Sequence, residues 1–297
     1  MPIARTPDTE IFYETFGDTG LPAVLLVAGL GGQLTTWQEG FCRSLSAAGL
    51  RVIRFDNRDV GLSTMFNEHP IDLSAALSDA MAGLDIQVPY TLSDMAGDAI
   101  GLLDHLEIEH AHLVGVSMGG MIAQTVAAEY PQRVKSLTSM MSTTGKRSVG
   151  QPTPEAIQVL FERPPPDRAG AIEAAVRGHR VISSPDYFDE EEARMHAAAA
   201  FDRSFNPDGA GRQLAAIYAA GNRSLQLAKI TTPTLVIHGA KDTLVDVSGG
   251  HHTAQSIAGS ELMVVDDMGH DLPRPLWDQL IGAIVAHVQE AESTSTQ

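Results

Sequence analysis

The 297-residue chain has a single cysteine, Cys42, so no internal disulfide can form and the fold must rest on packing. Its start, Met1-Pro2-Ile3-Ala4-Arg5-Thr6-Pro7-Asp8, has none of the hydrophobic stretch of a secretory signal, so no leader is expected. Long apolar runs are missing as well. The most apolar early one, Ala23 to Leu30, falls well short of the roughly 20 residues that cross a bilayer. These absences predict no integral membrane segment and a cytoplasmic protein. Basic residues are few, 20 against 37 acidic, which gives a formal charge of −17. Such a surface repels nucleic acid and anionic headgroups, so neither is an expected partner. Metal-ligand spacings are absent too: there is no H-E-x-x-H, no cysteine pair, and His251-His252 have no acidic partner at helical spacing. No metal is expected.

What the chain does have is apolar content, 43% of residues, enough for a sizeable core. Its patterning alternates. Ile11–Phe16 reads as an edge strand closed by Gly17-Asp18-Thr19-Gly20, and the continuous run Pro22–Ala28 as a strand covered on both faces. Strand signals recur at Arg51–Phe55, Ala111–Val116, Val134–Met141, Thr234–His238 and Glu261–Val265. Helical signals lie between and beyond them at Trp37–Ala48, Thr91–Leu106, Met118–Glu129, Ser248–Ile257 and Leu276–Ala291. This alternation predicts an α/β fold with a doubly wound, mostly parallel sheet. Two stretches break the rhythm. Met65 to Pro89 suggests a short helix over a mouth. Gly145 to Lys229 has little strand signal, contains Pro164-Pro165-Pro166, and carries helix-like runs at Glu190–Phe201 and Gly211–Ala220. The expected organisation is a core of residues 1–144 and 230–297, with a helical cap, 145–229, inserted between core strands.

Chemistry enters at Gly115-Val116-Ser117-Met118-Gly119, a G-x-S-x-G that follows a strand and opens a helix. A serine on so tight a turn needs small neighbours, which Gly115 and Gly119 supply, while Gly120 lets the helix approach the sheet. The turn lifts the Ser117 hydroxyl out at the carboxyl end of the sheet, where open α/β folds bind ligands. A serine hydroxyl needs a base, and histidine is the usual one near neutral pH. Of the histidines downstream, His179 and His196 fall in the cap, His251, His252 and His287 in helical segments, and His238 at a strand end. His270, in Met268-Gly269-His270-Asp271, lies in a loop just past a core strand, where a base would hang over the serine. The acid that orients it should come from the loop after the preceding strand. His238-Gly239-Ala240-Lys241-Asp242 offers Asp242, with Asp246 next and Asp266 or Asp267 after it. Acyl transfer also needs donors for an oxyanion: the backbone N–H of Met118, and one from Gly29-Leu30-Gly31-Gly32, with Leu30 the best placed. That glycine run is no dinucleotide fingerprint, since its third glycine would fall at Leu34. No cofactor is expected.

Several spaced motifs now stand in order: Gly29-Leu30-Gly31, Arg54-Phe55-Asp56-Asn57-Arg58-Asp59-Val60-Gly61-Leu62-Ser63, Gly115–Gly120, His238–Asp242 and Gly269-His270. From about Ile11 to Val288 the chain resembles the α/β-hydrolases. More narrowly it is similar to the bacterial esterase group that contains LipG-type lipase/esterases and aclacinomycin methylesterase. The resemblance implies a serine carboxylesterase with Ser117, Asp242 and His270 as triad and Leu30 and Met118 as oxyanion donors. It also implies that Asp56, Arg58 and Ser63 brace the oxyanion loop. Many relatives carry histidine before the first glycine of that loop; Ala28 stands there here, which leaves open what braces it.

The expected reaction is hydrolysis of short- to medium-chain, aryl or methyl carboxylic esters through an acyl-enzyme. Ser117 at the elbow speaks against dehalogenases and epoxide hydrolases, which use aspartate there. Cofactor-free perhydrolysis or C–C bond hydrolysis on the same triad is the alternative chemistry, and a slow-turnover ligand-binding receptor the alternative class.

Overall fold

The computed structural model describes residues 2–294, so residues 295–297 of the Ser/Thr/Gln tail lie outside it. Eight strands form one sheet: β1 (Ile3–Arg5), β2 (Glu10–Phe16), β3 (Ala23–Val27), β4 (Arg51–Phe55), β5 (Ala111–Val116), β6 (Val134–Met140), β7 (Thr234–Gly239) and β8 (Glu261–Val265). Their order across the sheet is β1-β2-β4-β3-β5-β6-β7-β8. The β1–β2 and β2–β4 pairs are antiparallel and all others parallel. The sequence places Ile11–Phe16 at an edge, but β1 pairs outside it through Ile3↔Phe12 and Arg5↔Glu10. Three residues carry too little periodicity to announce a strand.

Helices α1 (Glu39–Ala47), α2 (Leu73–Ala82), α3 (Leu92–His105) and α4 (Met118–Glu129) precede β6. Between β6 and β7 the described chain is helical, with α5 (Pro154–Phe161), α6 (Arg168–Ile182), α7 (Glu190–Arg203), α8 (Pro207–Ala220) and α9 (Ser224–Leu227). Helices α10 (Ser248–Ser256) and α11 (Trp277–Thr294) follow β7 and β8. The helix α8 starts four residues before the periodic run at Gly211, because Pro207 occupies its first turn, where a missing N–H costs nothing. Thr91 and Asp94 close a capping box at the start of α3, each side chain accepting from the other residue's backbone N–H.

Two apolar layers sandwich the sheet. Because strand side chains alternate, Leu25 and Val27 of β3 join α3 and α4 on one face, while Val24 and Leu26 join α1 and α11 on the other. This is why β3 reads as an unbroken apolar run. The parallel strands all end at one edge of the sheet, and the loops that leave there carry the predicted site. None of the described helices is long and apolar enough to cross a membrane.

Candidate active site

Ser117 follows β5 directly and caps α4 at φ 56° and ψ −121°, a left-handed conformation that is unusual for a residue with a side chain. Its N–H donates to the Met140 carbonyl at 2.8 Å, tying the turn to β6. The neighbours are small for the reason the sequence suggests. A Cβ on Gly115 would strike the Gly119 carbonyl, one on Gly119 would strike the carbonyls of Val27 and Ala28, and one on Gly120 would press on Ser142. The elbow is therefore wedged between β3 and β6.

Asp242 and His270 leave the ends of β7 and β8 and meet. His270 Nδ1 donates to Asp242 Oδ2 at 2.7 Å. The two loops are laced together: Ala240 N–H donates to Val265 O at 2.9 Å and Lys241 N–H to Met268 O at 3.0 Å. Gly239 makes this approach possible, since a Cβ there would collide with the Met268 and Gly269 carbonyls. The other Asp242 oxygen, Oδ1, accepts from the N–H groups of Leu244 (2.9 Å) and Val245 (2.8 Å). Burial works against its charge, yet the imidazoles of His270 and His238 outweigh that and hold the Asp242 pKa down at about 2. A carboxylate so held keeps Nδ1 of His270 protonated, which leaves Nε2 free to take a proton. The runner-up acids are occupied elsewhere. Asp246 accepts from Ser248 N–H, and Asp267 faces Lys241 at 3.5 Å.

The sequence demotes His238, but it belongs to this cluster. It is fully buried, and its Nε2 donates to Val245 O at 2.7 Å while lying 3.4 Å from Asp242 Oδ2. It thereby fixes the turn that presents Asp242. Its i, i+4 spacing to Asp242 is the only sequence signal, and that signal is weak.

The His270 loop also touches the helical insertion. Gly269 N–H donates to Ser184 Oγ, His270 N–H to Ile182 O at 2.7 Å, and Ser184 N–H to Asp271 Oδ1. The backbone is held at Gly269 and His270, and the Asp271 side chain adds a third tie.

Gly29 lies against the elbow: a Cβ built on it would sit 3.3 Å from Ser117 Cβ. The Gly29 carbonyl accepts from Gly32 N–H at 3.1 Å. Leu30 N–H shares that peptide and so leaves its opposite side. Among the described residues neither Leu30 N–H nor Met118 N–H, the first of α4, has a protein acceptor. Met118 adjoins Ser117 along the chain; Leu30 adjoins Gly29, which packs on that serine.

Of the residues expected to brace this loop, Asp56 reaches only its far end at Leu34, and the side chains of Arg58 and Ser63 bond elsewhere. Asp56 is fully buried; it accepts from Leu34 N–H at 2.7 Å and Leu62 N–H at 2.9 Å, and pairs with Arg203 of α7. Arg58 forms a buried pair with Asp98, and Ser63 Oγ donates to the Asp56 carbonyl. With alanine at position 28, the loop is held by others: Asn57 Nδ2 donates to Ala28 O at 3.0 Å, and Gly31 N–H donates to Gln213 Oε1 at 2.8 Å. Neither Asn57 nor Gln213 stands out in the sequence as a bracing residue. Among the described residues no cluster of three or more His, Cys, Asp or Glu side chains is placed to hold a metal.

A strained serine at a strand-to-helix elbow, beside a loop that leaves the Leu30 amide free and on the same sheet edge as a carboxylate-held imidazole, defines the class of nucleophilic α/β hydrolases. The chain belongs to the alpha/beta hydrolase fold family, whose sequence profile matches residues 22–273. It is 28% identical to rhodomycin D methylesterase DauP of Streptomyces sp. (strain C5), with 96% of each chain covered. It is 27% identical to 3-oxoadipate enol-lactonase 2 of Acinetobacter baylyi, over 87% of this chain and 86% of that one. The fold matches the meta-cleavage product hydrolase CumD of Pseudomonas fluorescens IP01 with a TM-score of 0.78 at 22% identity, covering 98% of both chains.

Proposed function

We propose that this protein is a serine carboxylesterase acting on small-molecule esters, with Ser117 as nucleophile, His270 as base, Asp242 as its orienting acid, and the Leu30 and Met118 N–H groups as oxyanion donors. The observation that carries the reading is the 2.7 Å His270–Asp242 bond at the same sheet edge as the Ser117 elbow. Ser117 Oγ attacks the ester carbonyl carbon as His270 Nε2 takes its proton. The carbonyl oxygen, now an anion, is received by the two amides. His270 returns the proton to the departing alkoxide, leaving an acyl-serine. Water, deprotonated by the same nitrogen, attacks that acyl group, and collapse of the second oxyanion frees the acid and restores the serine.

The relatives named methylesterase and enol-lactonase support ester bonds, open-chain or cyclic, as the class attacked. Short- to medium-chain, aryl and methyl esters are the substrates to try first, beneath residues 145–229 acting as a cap. A cytoplasmic setting fits Cys42, which is buried and unpaired.

The test is a series of p-nitrophenyl esters of increasing acyl length, with Ser117→Ala as control. Multiple turnover in the wild type, lost in the variant together with fluorophosphonate labelling, is the expected outcome. Turnover retained by Ser117→Ala would remove the assignment.

A further inference from the structure

The helix α8 bonds directly to the loop beside the Ser117 elbow. Its Gln213 is fully buried and spans two backbone groups of the core: Oε1 accepts from Gly31 N–H at 2.8 Å, and Nε2 donates to Arg58 O at 2.7 Å. On the same helix Arg212 pairs with Asp59 at 2.8 Å, and the N-terminal turn of α8 lies so close that a Cβ on Gly209 would strike the Asp59 carbonyl. At the end of α7, Gln33 Nε2 donates to the carbonyls of Ala200 (2.8 Å) and Ser204 (2.9 Å), and Arg203 reaches both Gln33 and Asp56. The oxyanion loop is thus gripped from the insertion, at side chains that do not border Ser117.

The grip falls at a telling place. The Leu30 amide belongs to the Gly29–Leu30 peptide. The peptide before it is fixed at its carbonyl by Asn57, and the one after it at its N–H by Gln213. Gly31, at φ +65°, is the pivot about which that second peptide would otherwise turn. Each planar peptide has only two soft neighbouring dihedrals, so holding both flanks restricts the middle one.

Building on the esterase reading, we propose that Gln213 is a positioning residue for catalysis: it carries the seating of α8 into the orientation of the Leu30 oxyanion donor. Gln213 touches no reacting atom. It acts through the Leu30–Gly31 peptide, so its loss withdraws help from the transition state while leaving ground-state binding largely in place.

The experiment uses Gln213→Met, which keeps the volume and loses both hydrogen bonds, and Gln213→Glu, which keeps the acceptor for Gly31 N–H. Thermal unfolding verifies that each is folded. Steady-state hydrolysis of a p-nitrophenyl ester is measured beside the affinity for an aryl trifluoromethyl ketone, whose serine adduct places an oxyanion in the hole. In Gln213→Met, kcat falls on the order of 10- to 100-fold with KM changed less than about 3-fold, and ketone affinity drops by a similar factor. Gln213→Glu recovers part of both. Wild-type kcat and ketone affinity in a folded Gln213→Met overturn the proposal, as does a fall in kcat with ketone affinity unchanged. If wild-type protein forms no ketone adduct at Ser117 and turns over no ester, the esterase reading itself falls and takes this role with it. Reaction at Ser117 that is indifferent to Gln213 removes the role alone.

Discussion

Asp242 is an acid that titrates far below the range in which an esterase works. Its pKa of about 2 lies under the usual unfolded value of roughly 3.9. A depressed carboxylate pKa adds stability that is fully present above the unfolded value and is lost as pH falls through the folded one. The wild type should therefore lose stability between about pH 4 and pH 2 more steeply than Asp242→Asn, measured by urea unfolding across that window. Above pH 4 the carboxylate is ionised throughout, so any acid limb of kcat/KM there belongs to another group. At neutral pH, Asp242→Asn should lower kcat by roughly 10³- to 10⁴-fold by releasing the His270 tautomer; an undiminished kcat would contradict its orienting role. Asp242 was legible because it follows a strand, in a loop ahead of His270. His238 was not, because a strand-end histidine gives no hint that it will turn back on its own loop. Gln213 and Asn57 were invisible for a related reason: a buried amide bonded to distant backbone leaves no periodic or spaced signature.

Elements built from strong patterns were read nearly to the residue. The strands β4, β5 and β8 and the helix α4 coincide with their sequence expectations; β5 ends sharply at the glycine-flanked elbow and α4 stops before Pro131. The strand β1 was missed, because three residues cannot sustain an alternation, although Arg5 also pairs with Glu10 of β2. The elbow offers a contrast between glycines of one sequence. Gly119→Ala should destabilise the fold by at least about 2 kcal/mol, because the new methyl meets the Val27 and Ala28 carbonyls, which cannot withdraw without moving β3 and the oxyanion loop. Gly97→Ala, within α3 and facing open space, should stabilise by about 0.5–1 kcal/mol through a less flexible unfolded chain. Denaturant midpoints of the two variants settle the comparison; equal shifts would mean that the wedge at the elbow is slack.

Across the whole molecule, the helical insertion and the sheet share buried charge. Arg212 and Asp59 have side chains 2% and 0% exposed, and Tyr90 Oη and Phe66 N–H complete the carboxylate's shell. Asp59 sits at φ 72°, a strained backbone that this shell holds in place. Removing one partner of such a pair strands the other. Arg212→Met should cost about 3–5 kcal/mol of unfolding free energy, partly recovered on adding Asp59→Asn; a change below about 1 kcal/mol in urea titration would show the contact to be incidental. The sequence foretold helices in this region but not their charge partners, because ion pairs across such separations follow from tertiary packing alone.

Asp59 and Arg212 are 153 residues apart along the chain. During synthesis, the acidic turn after β4 leaves the ribosome long before the guanidinium that neutralises it exists. Until then, drying the Asp59 carboxylate would bury an unpaired charge. The buried pair that joins the helical insertion to the turn after β4 can therefore close only once most of the polypeptide has emerged.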